Sequence, residues 1–349
     1  MIVLKGLVLR ILIVKLSSLG DVVHAMPAVQ DLRQVYPEAQ IDWVVERAFA
    51  PLVQRCKGVH RVIACELRRW RSNPLSSQTR QAWQHFKVDL QQENYDAVID
   101  LQGLSKSALV SWLARVKPGG KRYGIANQTD GSSFEAPARW VADVAITLPA
   151  RSHAITRARL LCARAFGYSL PFYTKSGLLA QADKALPAMR NVAIRTGLRG
   201  VVVLAHGTSR QDKAWPLAHW RALAQRLNSV GFGVALPHGN AAEEAVSNAI
   251  ADGLEHAQVW PTLTLDVLTD SLICSAGVIG VDSGLSHIAV ALNLPHVQIY
   301  NFDTAWRTGP LASALQMSVF ARPTPDVDAV WQAWQDVSAS IAPSGFVPL

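Results

Sequence analysis

The segment KLSSLGD, residues 15–21, places Asp21 between an apolar run and a helical pattern. An aspartate at this position has two interpretations, and the two can coexist. It is a favourable cap for the start of a helix. It is also a carboxylate that the helix N-terminus keeps ionised, so that it can act as a general base at neutral pH. The residues alone leave both roles open.

The segment VDSGLSH, residues 281–287, follows a second apolar run. The backbone N–H groups of Ser283 and Gly284 can bind a pyrophosphate, because N–H groups at a helix start lack acceptors within the helix and the helix dipole favours an anion. Asp282 can accept hydrogen bonds from a polyol. The alternative is a capped helix with His287 buried inside the fold.

The segment HGTSRQDKAWP, residues 206–216, also follows an apolar run. Thr208 and Ser209 offer hydroxyl and N–H donors, and Lys213 offers a flexible point charge that suits a phosphate. The alternative is an ordinary loop with a solvated lysine. Further along, Glu243 can accept a hydrogen bond from a ribose hydroxyl, although by itself it is typical of an exposed helix.

The segment ELRRWRSN, residues 66–73, carries three arginines around a tryptophan. Arginine binds phosphate through two parallel hydrogen bonds, so Arg68, Arg69 and Arg71 are candidates for an anionic ligand. A solvated basic loop and a nucleic-acid contact are the alternatives. The cluster is short, and the sequence has no recognisable RRM, KH or zinc-finger pattern.

The length of the chain and the distribution of its charges indicate its domain number and the kind of partner it binds. The chain has 349 residues, which suggests two domains. Residues 1–175 carry 24 Lys and Arg against 13 Asp and Glu, and residues 176–349 carry 10 against 13. The basic N-terminal half indicates an anionic partner or, alternatively, a surface kept basic for solubility.

The cysteines and the apolar segments suggest where the protein works. Its four cysteines are far apart and lack metal-binding spacing, which favours a reducing cytoplasm over a disulfide scaffold. No apolar stretch is long enough to span a membrane. The N-terminus is expected to form a buried strand after a short leader.

Apolar strand patterns alternate with helical patterns in two series, which predicts parallel sheets covered by helices. The first series contains ILIV, IDWVV and AVIDL, and the second contains VVVLA, GVALP, AGVIGVD and HVQIY. The segment that links the two series lies within 171–200. Neither GxGxxG nor GxxxxGK[ST] occurs, so the usual dinucleotide and P-loop signatures are absent. The last helical pattern, DAVWQAWQDVSASI, could pack on either unit.

With these segments, the chain closely resembles the heptosyltransferase family of GT-B glycosyltransferases. The resemblance runs over nearly the whole chain, through ILIVKLSSLGDVVHAMPAV, IDWVVE, RRWR, NYDAVIDLQGLSKSALV, HGTSRQDKAWP and VDSGLSHIAVAL. It implies an α/β fold of the GT-B class, with two Rossmann-like domains whose parallel sheets face a central cleft. The implied domains are 1–180 for the acceptor, 181–326 for the nucleotide sugar, and a helix at 327–349 that packs back on the N-terminal domain.

The resemblance also implies a reaction. The implied enzyme resembles the first-acting members of the family and transfers L-glycero-D-manno-heptose from ADP-heptose to the Kdo of Kdo-lipid A, with inversion and without a cofactor or bound metal. It works in the cytoplasm, peripherally at the inner face of the cytoplasmic membrane, and has no nucleic-acid partner. By matching motifs, the implied catalytic residues are Asp21 and Lys213, and the acceptor-binding residues are Ser17, Ser18, Arg68, Arg69 and Arg71. The implied donor-binding residues are Thr208, Ser209, Lys213, Glu243, Leu263, Asp282, Ser283, Gly284 and His287.

Three features depart from the family pattern. YNFDTAWRTGP replaces a GPTDP-like turn, Leu263 stands where a methionine can border the adenine, and residues 1–8 extend the usual start.

Two other functions stay open. One is another GT-B nucleotide-sugar enzyme, such as a later-acting heptosyltransferase or a sugar epimerase. The other is a non-enzymatic binder of acidic glycolipid or nucleic acid.

Overall fold

The computed structural model describes residues 8–172, 175–190, 197–311 and 313–339. The chain divides into two compact units, Met1–Leu179 and Ala180–Leu349. The predicted boundary, between 180 and 181, lies one residue further along the chain. The predicted leader before the first strand lies outside the described residues.

The first unit is built on a sheet of six parallel strands in the order β3-β2-β1-β4-β5-β6. The central strand is RILIV, and its last four residues are buried because helices cover both faces of the sheet. The strands are β1 Arg10–Val14, β2 Gln40–Glu46, β3 Val59–Cys65, β4 Asn94–Asp100, β5 Arg115–Ile125 and β6 Val144–Ile146.

The helices of the first unit pack on this sheet through apolar stripes. In α1, Val22, Met26, Val29 and Leu32 recur at helical spacing and are fully buried, as their pattern predicts. The helices are α1 Leu19–Val35, α2 Ala50–Val53, α3 Leu67–Ser72, α4 Ser77–Leu90, α5 Ser105–Leu113, α6 Ala136–Val141 and α7 Ala154–Phe166, with a 3₁₀ turn at Arg47–Phe49.

The second unit repeats this plan, with six parallel strands in the order β12-β11-β10-β7-β8-β9. Strands β8, β10 and β11 are buried along their whole length, as expected for central strands of a parallel sheet. The strands are β7 Gly200–Ala205, β8 Phe232–Leu236, β9 Ala257–Val259, β10 Gly277–Val281, β11 His296–Tyr300 and β12 Gln316–Phe320.

The helices of the second unit cover its sheet in the same way. They are α8 Leu217–Ser229, α9 Ala241–Ala251, α10 Leu265–Ile273, α11 Gly284–Ala291, α12 Ala305–Thr308 and α13 Val327–Ala339, with 3₁₀ turns at Ala182–Lys184, Pro187–Met189 and Gln211–Lys213. Within the described residues, every helix is too short or too polar to cross a bilayer.

Each sheet has one topological switch point, where the strand order changes direction. It lies between β1 and β4 in the first unit, and between β7 and β10 in the second. Ligands of open parallel sheets bind beyond the carboxyl ends of the strands at such a point. The loops after these four strands are therefore the candidate site positions.

Three elements differ from the sequence-based expectations. The series of strands does not close at HVQIY, because β12 adds an edge strand to the second sheet. The arginine-rich segment, for which a solvated loop was one alternative, is the short helix α3, because Trp70 is buried against Trp83 and Phe86.

The last helix also needs a correction. Over its described part, Val327–Ala339, this helix packs in the second unit, whereas the resemblance implied packing on the N-terminal unit. Val330, Ala333, Trp334 and Val337 belong to the core of the second unit. Residues 340–349 of the predicted helix lie outside the described residues.

Candidate active site

The carboxylate of Asp21 lies just beyond the carboxyl end of β1. Ser18 is the N-cap of α1, and its N–H and Oγ donate to Asp21 Oδ2 at 3.2 and 2.8 Å. Asp21 therefore stands three residues inside the helix and not at the cap itself, where it closes a capping box. Its side chain nevertheless remains 37% exposed, so capping leaves it open to a further partner.

A buried ammonium group keeps this carboxylate ionised. Lys15 Nζ lies 3.7 Å from Asp21 Oδ1 and donates to the carbonyl of Leu101 at 3.3 Å. Burial raises the pKa of Asp21, but the charge of Lys15 and the bonds from Ser18 outweigh it and hold the pKa below its ordinary value. Burial also lowers the pKa of Lys15 itself.

A small, open pocket adjoins Asp21 within the first unit. Lys15, His24 and Arg157 contribute basic side chains to its wall, and Leu101 and Ile125 are part of its apolar lining. A pocket with this lining suits a ligand that carries an acid group. Arg157 was not among the predicted site residues, since the spacing in its own helix gives it no distinguishing pattern.

The loop between β1 and α1 is fixed by residues that follow β4. Gln102 Oε1 accepts from the N–H groups of Leu16 and Ser17 at 2.9 and 3.1 Å. Lys106 Nζ donates to Ser17 Oγ at 2.7 Å. Ser17 is thus placed at the switch point as expected, and Gln102 and Lys106 are site residues that sequence reasoning missed.

The three predicted acceptor arginines lie on α3, directly after the carboxyl end of β3. Arg68, Arg69 and Arg71 are exposed, and Arg69 pairs with Glu66 at 3.2 Å. Because β2 separates β3 from β1, these arginines share the sheet edge with Asp21 but are offset from it. The described contacts do not join them to Asp21.

In the second unit, the loops after β7 and β10 meet through an ion pair. Lys213 Nζ donates to Asp282 Oδ2 at 2.6 Å. Asp282 Oδ1 lies 3.3 Å from His287 Nε2 and accepts from Thr308 Oγ1 at 3.2 Å. Burial raises the pKa of Asp282, but His287 and Lys213 outweigh it and lower the net value. Three predicted residues are thus in contact.

The start of α11 is suited to an anion. Ser283 is its N-cap, and no side chain caps the helix through a hydrogen bond. Among the described residues, the buried Ser283 Oγ lacks a hydrogen-bond partner within the chain. Buried hydroxyl groups are normally paired, so Ser283 and the adjacent N–H of Gly284 form the place where a phosphate group is expected.

Glu243 lies against the loop that follows β7. It accepts from the N–H of Gly239 at 2.8 Å, and a Cβ atom at Gly207 would come within 2.9 Å of its carboxyl carbon. A side chain at 207 would therefore displace the carboxyl group of Glu243 from its present position. Next to it, His206 bonds to Ser247 at 2.7 Å, and burial lowers its pKa to about 4. Glu243 is therefore an oriented carboxylate and not a random surface charge.

The remaining donor positions surround this edge of the sheet. Thr208 and Ser209 lie in the loop between β7 and Lys213, and Thr208 Oγ1 accepts weakly from the N–H of Arg210 at 3.4 Å. Leu263 is half-buried in the loop between β9 and α10. It lies at the end of the sheet formed by β8 and β9, and Glu243 is on the helix that follows β8.

Two residues of the divergent turn support the site and were not predicted. Asn301 Nδ2 donates to the carbonyls of Asp212 and Ala214, at 3.0 Å each, and so holds the segment that carries Lys213. Thr308 bonds to Asp282, as described above. The segment YNFDTAWRTGP contains no local pattern that predicts either contact, because the partners of Asn301 and Thr308 lie far away in the sequence.

Comparison with known proteins agrees with this geometry. The profile of glycosyltransferase family 9 (heptosyltransferase) matches residues 83–330. Lipopolysaccharide heptosyltransferase 1 of Escherichia coli K12 is 37% identical over 293 residues, which make up 84% of this chain and 88% of that protein. The chain belongs to glycosyltransferase family 9, the heptosyltransferases.

Solved structures of the family confirm the GT-B fold class. The E. coli heptosyltransferase WaaC with ADP has a TM-score of 0.81 at 32% identity, covering 94% of this chain and 100% of that one. WaaC with ADP-2-deoxy-2-fluoro heptose has a TM-score of 0.77 at 33% identity, covering 93% and 98%. The resemblance inferred from the motifs is therefore confirmed, and the chain is a glycosyltransferase.

Among 8–172, 175–190, 197–311 and 313–339, no three His, Cys, Asp or Glu side chains are grouped to hold a metal ion. The pair formed by Asp282 and His287 is already linked to Lys213. The individual roles of the site residues remain predictions that the geometry supports.

Proposed function

We propose that this heptosyltransferase transfers L-glycero-D-manno-heptose from ADP-heptose to the Kdo of Kdo-lipid A, in the synthesis of the lipopolysaccharide inner core. The observation that carries the proposal is the edge of the second sheet, where Lys213 and the start of α11 offer positive groups beside the oriented carboxylate of Glu243. This set matches a diphosphate and a ribose. A relative solved with an ADP-heptose analogue supports the identity of the donor.

Asp21 is the base of the proposed reaction. Its carboxylate takes the proton from a Kdo hydroxyl while that oxygen bonds to the anomeric carbon of heptose. The bond from this carbon to the ADP oxygen breaks, and the configuration inverts. Asp21 fits because it is ionised, partly exposed and fixed by Ser18. The basic pocket beside it, with Lys15 and Arg157, fits the carboxylate of Kdo.

The leaving diphosphate gains negative charge as the bond breaks. Lys213 and the N–H groups of Ser283 and Gly284 are proposed to stabilise it, because fixed donors aimed at developing charge lower the barrier of a reaction. We assign this role to the protein and to no cofactor. Turnover is therefore expected to persist in the presence of EDTA, and a loss that Mg²⁺ restores would contradict the assignment.

The acceptor is a lipid, so the enzyme is proposed to act peripherally at the inner face of the cytoplasmic membrane. A turnover assay with ADP-heptose tests the whole proposal. We expect one heptose to be added to Kdo-lipid A, and none to an acceptor that already carries the first heptose. Transfer only to the latter would indicate a later-acting heptosyltransferase. Conversion of a UDP-sugar without an acceptor would indicate an epimerase.

A further inference from the structure

The helices on one face of the first unit carry an unusual excess of positive charge. Helices α3, α4, α5 and α6 together contain seven Lys and Arg and one acidic residue, Asp89. Helices α8 to α13 of the second unit contain three and six, respectively. These four helices of the first unit therefore carry a net positive charge, whereas the helices of the second unit carry a net negative one.

The same surface exposes large apolar side chains. Trp112 on α5 is 63% exposed and Trp140 on α6 is 77% exposed, whereas the other nine of the 11 tryptophans are buried or partly buried. Leu109, 42% exposed, lies three residues before Trp112 and therefore on the same side of α5. The site described above uses none of these side chains.

Helices α5 and α6 form one continuous surface because hydrogen bonds join them at both ends. At their starts, the N–H of Ser105 donates to Glu135 at 2.7 Å. At their ends, Arg122 on β5 donates to the carbonyls of Ser111 and Ala114, and its own N–H donates to Asp143 at 2.7 Å. Trp112 and Trp140 thus lie on adjacent helices near a shared anchor.

Exposed cations border these apolar residues. Arg139 precedes Trp140 directly, Arg115 follows the end of α5, and Lys121 lies on the adjoining strand β5. We call Leu109, Trp112, Trp140, Arg115, Lys121 and Arg139 the α5–α6 surface. Tryptophan and long basic side chains favour the boundary between lipid headgroups and acyl chains, where the rings are shielded from water and the charges meet phosphate.

We propose that the α5–α6 surface is the part of the enzyme that docks on an anionic lipid bilayer. This inference rests on the proposed function, in which the acceptor is a lipid. Arg115, Lys121, Arg122 and Arg139 outnumber the two carboxylates at the ends of the surface, Glu135 and Asp143, so its net charge is positive. This positive charge favours an anionic bilayer over a second copy of the chain, because two copies joined through this surface would bring like net charges together. Each basic residue near an anionic membrane adds affinity, and exposed tryptophan adds apolar contact.

Vesicle sedimentation of the full chain tests the proposal. Vesicles of phosphatidylethanolamine and phosphatidylglycerol should bind the protein, and binding should fall as salt rises. The double variant Trp112→Ser, Trp140→Ser should bind about tenfold or more weakly. Arg139→Gln should reduce binding about fivefold, which corresponds to about 1 kcal/mol per basic residue. The matched control, Phe320→Ser, removes an exposed aromatic ring from the second unit and should leave binding unchanged.

Enzyme assays separate this inference from the proposed function. The double variant should transfer heptose at the normal rate to a water-soluble Kdo acceptor without acyl chains, and more slowly to acceptor embedded in vesicles. If the native chain transfers no heptose to either acceptor, the proposed function is wrong, but vesicle binding still tests the α5–α6 surface. Three outcomes overturn the inference: native protein that ignores the vesicles, a double variant that binds them normally, or a native dimer that the double variant abolishes.

Discussion

The two units each place an aspartate and a lysine at the switch point of a parallel sheet, but they bury opposite members of the pair. In the first unit, the Lys15 side chain is 8% exposed and that of Asp21 is 37% exposed. In the second, the Asp282 side chain is 5% exposed and that of Lys213 is 20% exposed. The first unit therefore offers a carboxylate to its ligand, and the second offers an ammonium group.

This difference matches the chemistry that each unit is proposed to perform. A base must reach the proton that it removes, so its carboxylate has to remain accessible. A group that neutralises a leaving diphosphate must instead present positive charge. In the first pair, the buried Lys15 keeps Asp21 ionised. In the second pair, the buried Asp282 holds Lys213 in place through the ion pair. The main role of Asp282 is thus to position Lys213, since its carboxylate already bonds to Lys213, His287 and Thr308 and has little capacity left for a ligand.

The largest expected effect comes from removing the exposed carboxylate. Asp21→Asn preserves the shape of the side chain but cannot accept a proton from the acceptor. We expect turnover to fall by about 10²–10⁴, the usual contribution of a positioned base. The affinity for ADP, measured by calorimetry, should be unchanged because the donor groups are on the second unit. Normal turnover would leave Asp21 with its role in the capping box alone.

The matched variant in the second unit is Lys213→Met, which keeps the stem of the side chain and removes the charge. It should weaken ADP binding and also lower turnover, the latter on the order of 10²–10³. His287 and Thr308 still pair with Asp282 in this variant, so the fold should persist. If both variants changed ADP affinity equally, the contrast between the two units would be wrong.

Elements whose signal is local were predictable from the sequence. Strand β1 and helix α1 follow from apolar spacing, and VDSGLSH marks an anion site because strand, glycine and helix start are consecutive. Contacts between distant residues were not predictable. Gln102 holds Leu16 across 86 positions, and Thr308 reaches Asp282 across 26. No local pattern records such pairs, because the sheet topology creates them.

The errors have the same origin. The amphipathic pattern of α13 shows that one face is buried, but not which unit buries it. Strand β12 has only one buried residue among its five, so its sequence QMSVF lacks the continuous apolar signal of the central strands. A loop stayed open as an alternative for helix α3, because the arginines dominate its sequence and the partners of Trp70, Trp83 and Phe86, lie on the next helix.

A smaller effect is expected when the buried partner of Asp21 loses its charge. In Lys15→Met, burial still raises the pKa of Asp21, while the main lowering influence is gone. Protonated Asp21 cannot act as a base, so activity is lost as the pH falls through this pKa. The acidic limb of kcat/KM should therefore move upward by about 1–3 pH units. Lys57→Met, an exposed lysine of the same unit, should leave the profile unchanged, and an unmoved limb in Lys15→Met would show that Lys15 does not tune the base.

The smallest effects concern the hydroxyl groups that bond to the two aspartates. Thr308→Val removes a hydrogen bond to a buried carboxylate and also a contact with Tyr300 Oη at 3.2 Å. Its expected cost in the free energy of unfolding is about 1.5–3 kcal/mol, as for hydrogen bonds to charged groups. Ser18→Ala removes bonds to a partly exposed carboxylate, which water can replace, and should cost about 1 kcal/mol. Urea unfolding compares the two.

The informative result is which of the two variants loses more free energy of unfolding, since both remove one hydroxyl group beside one aspartate. A larger cost for Thr308→Val follows if Asp282 is enclosed and depends on the protein for all its hydrogen bonds. Equal costs would mean that water reaches Asp282 as readily as Asp21. In that case Asp282 would be available to a ligand hydroxyl, and its main role would be direct donor binding and not the positioning of Lys213.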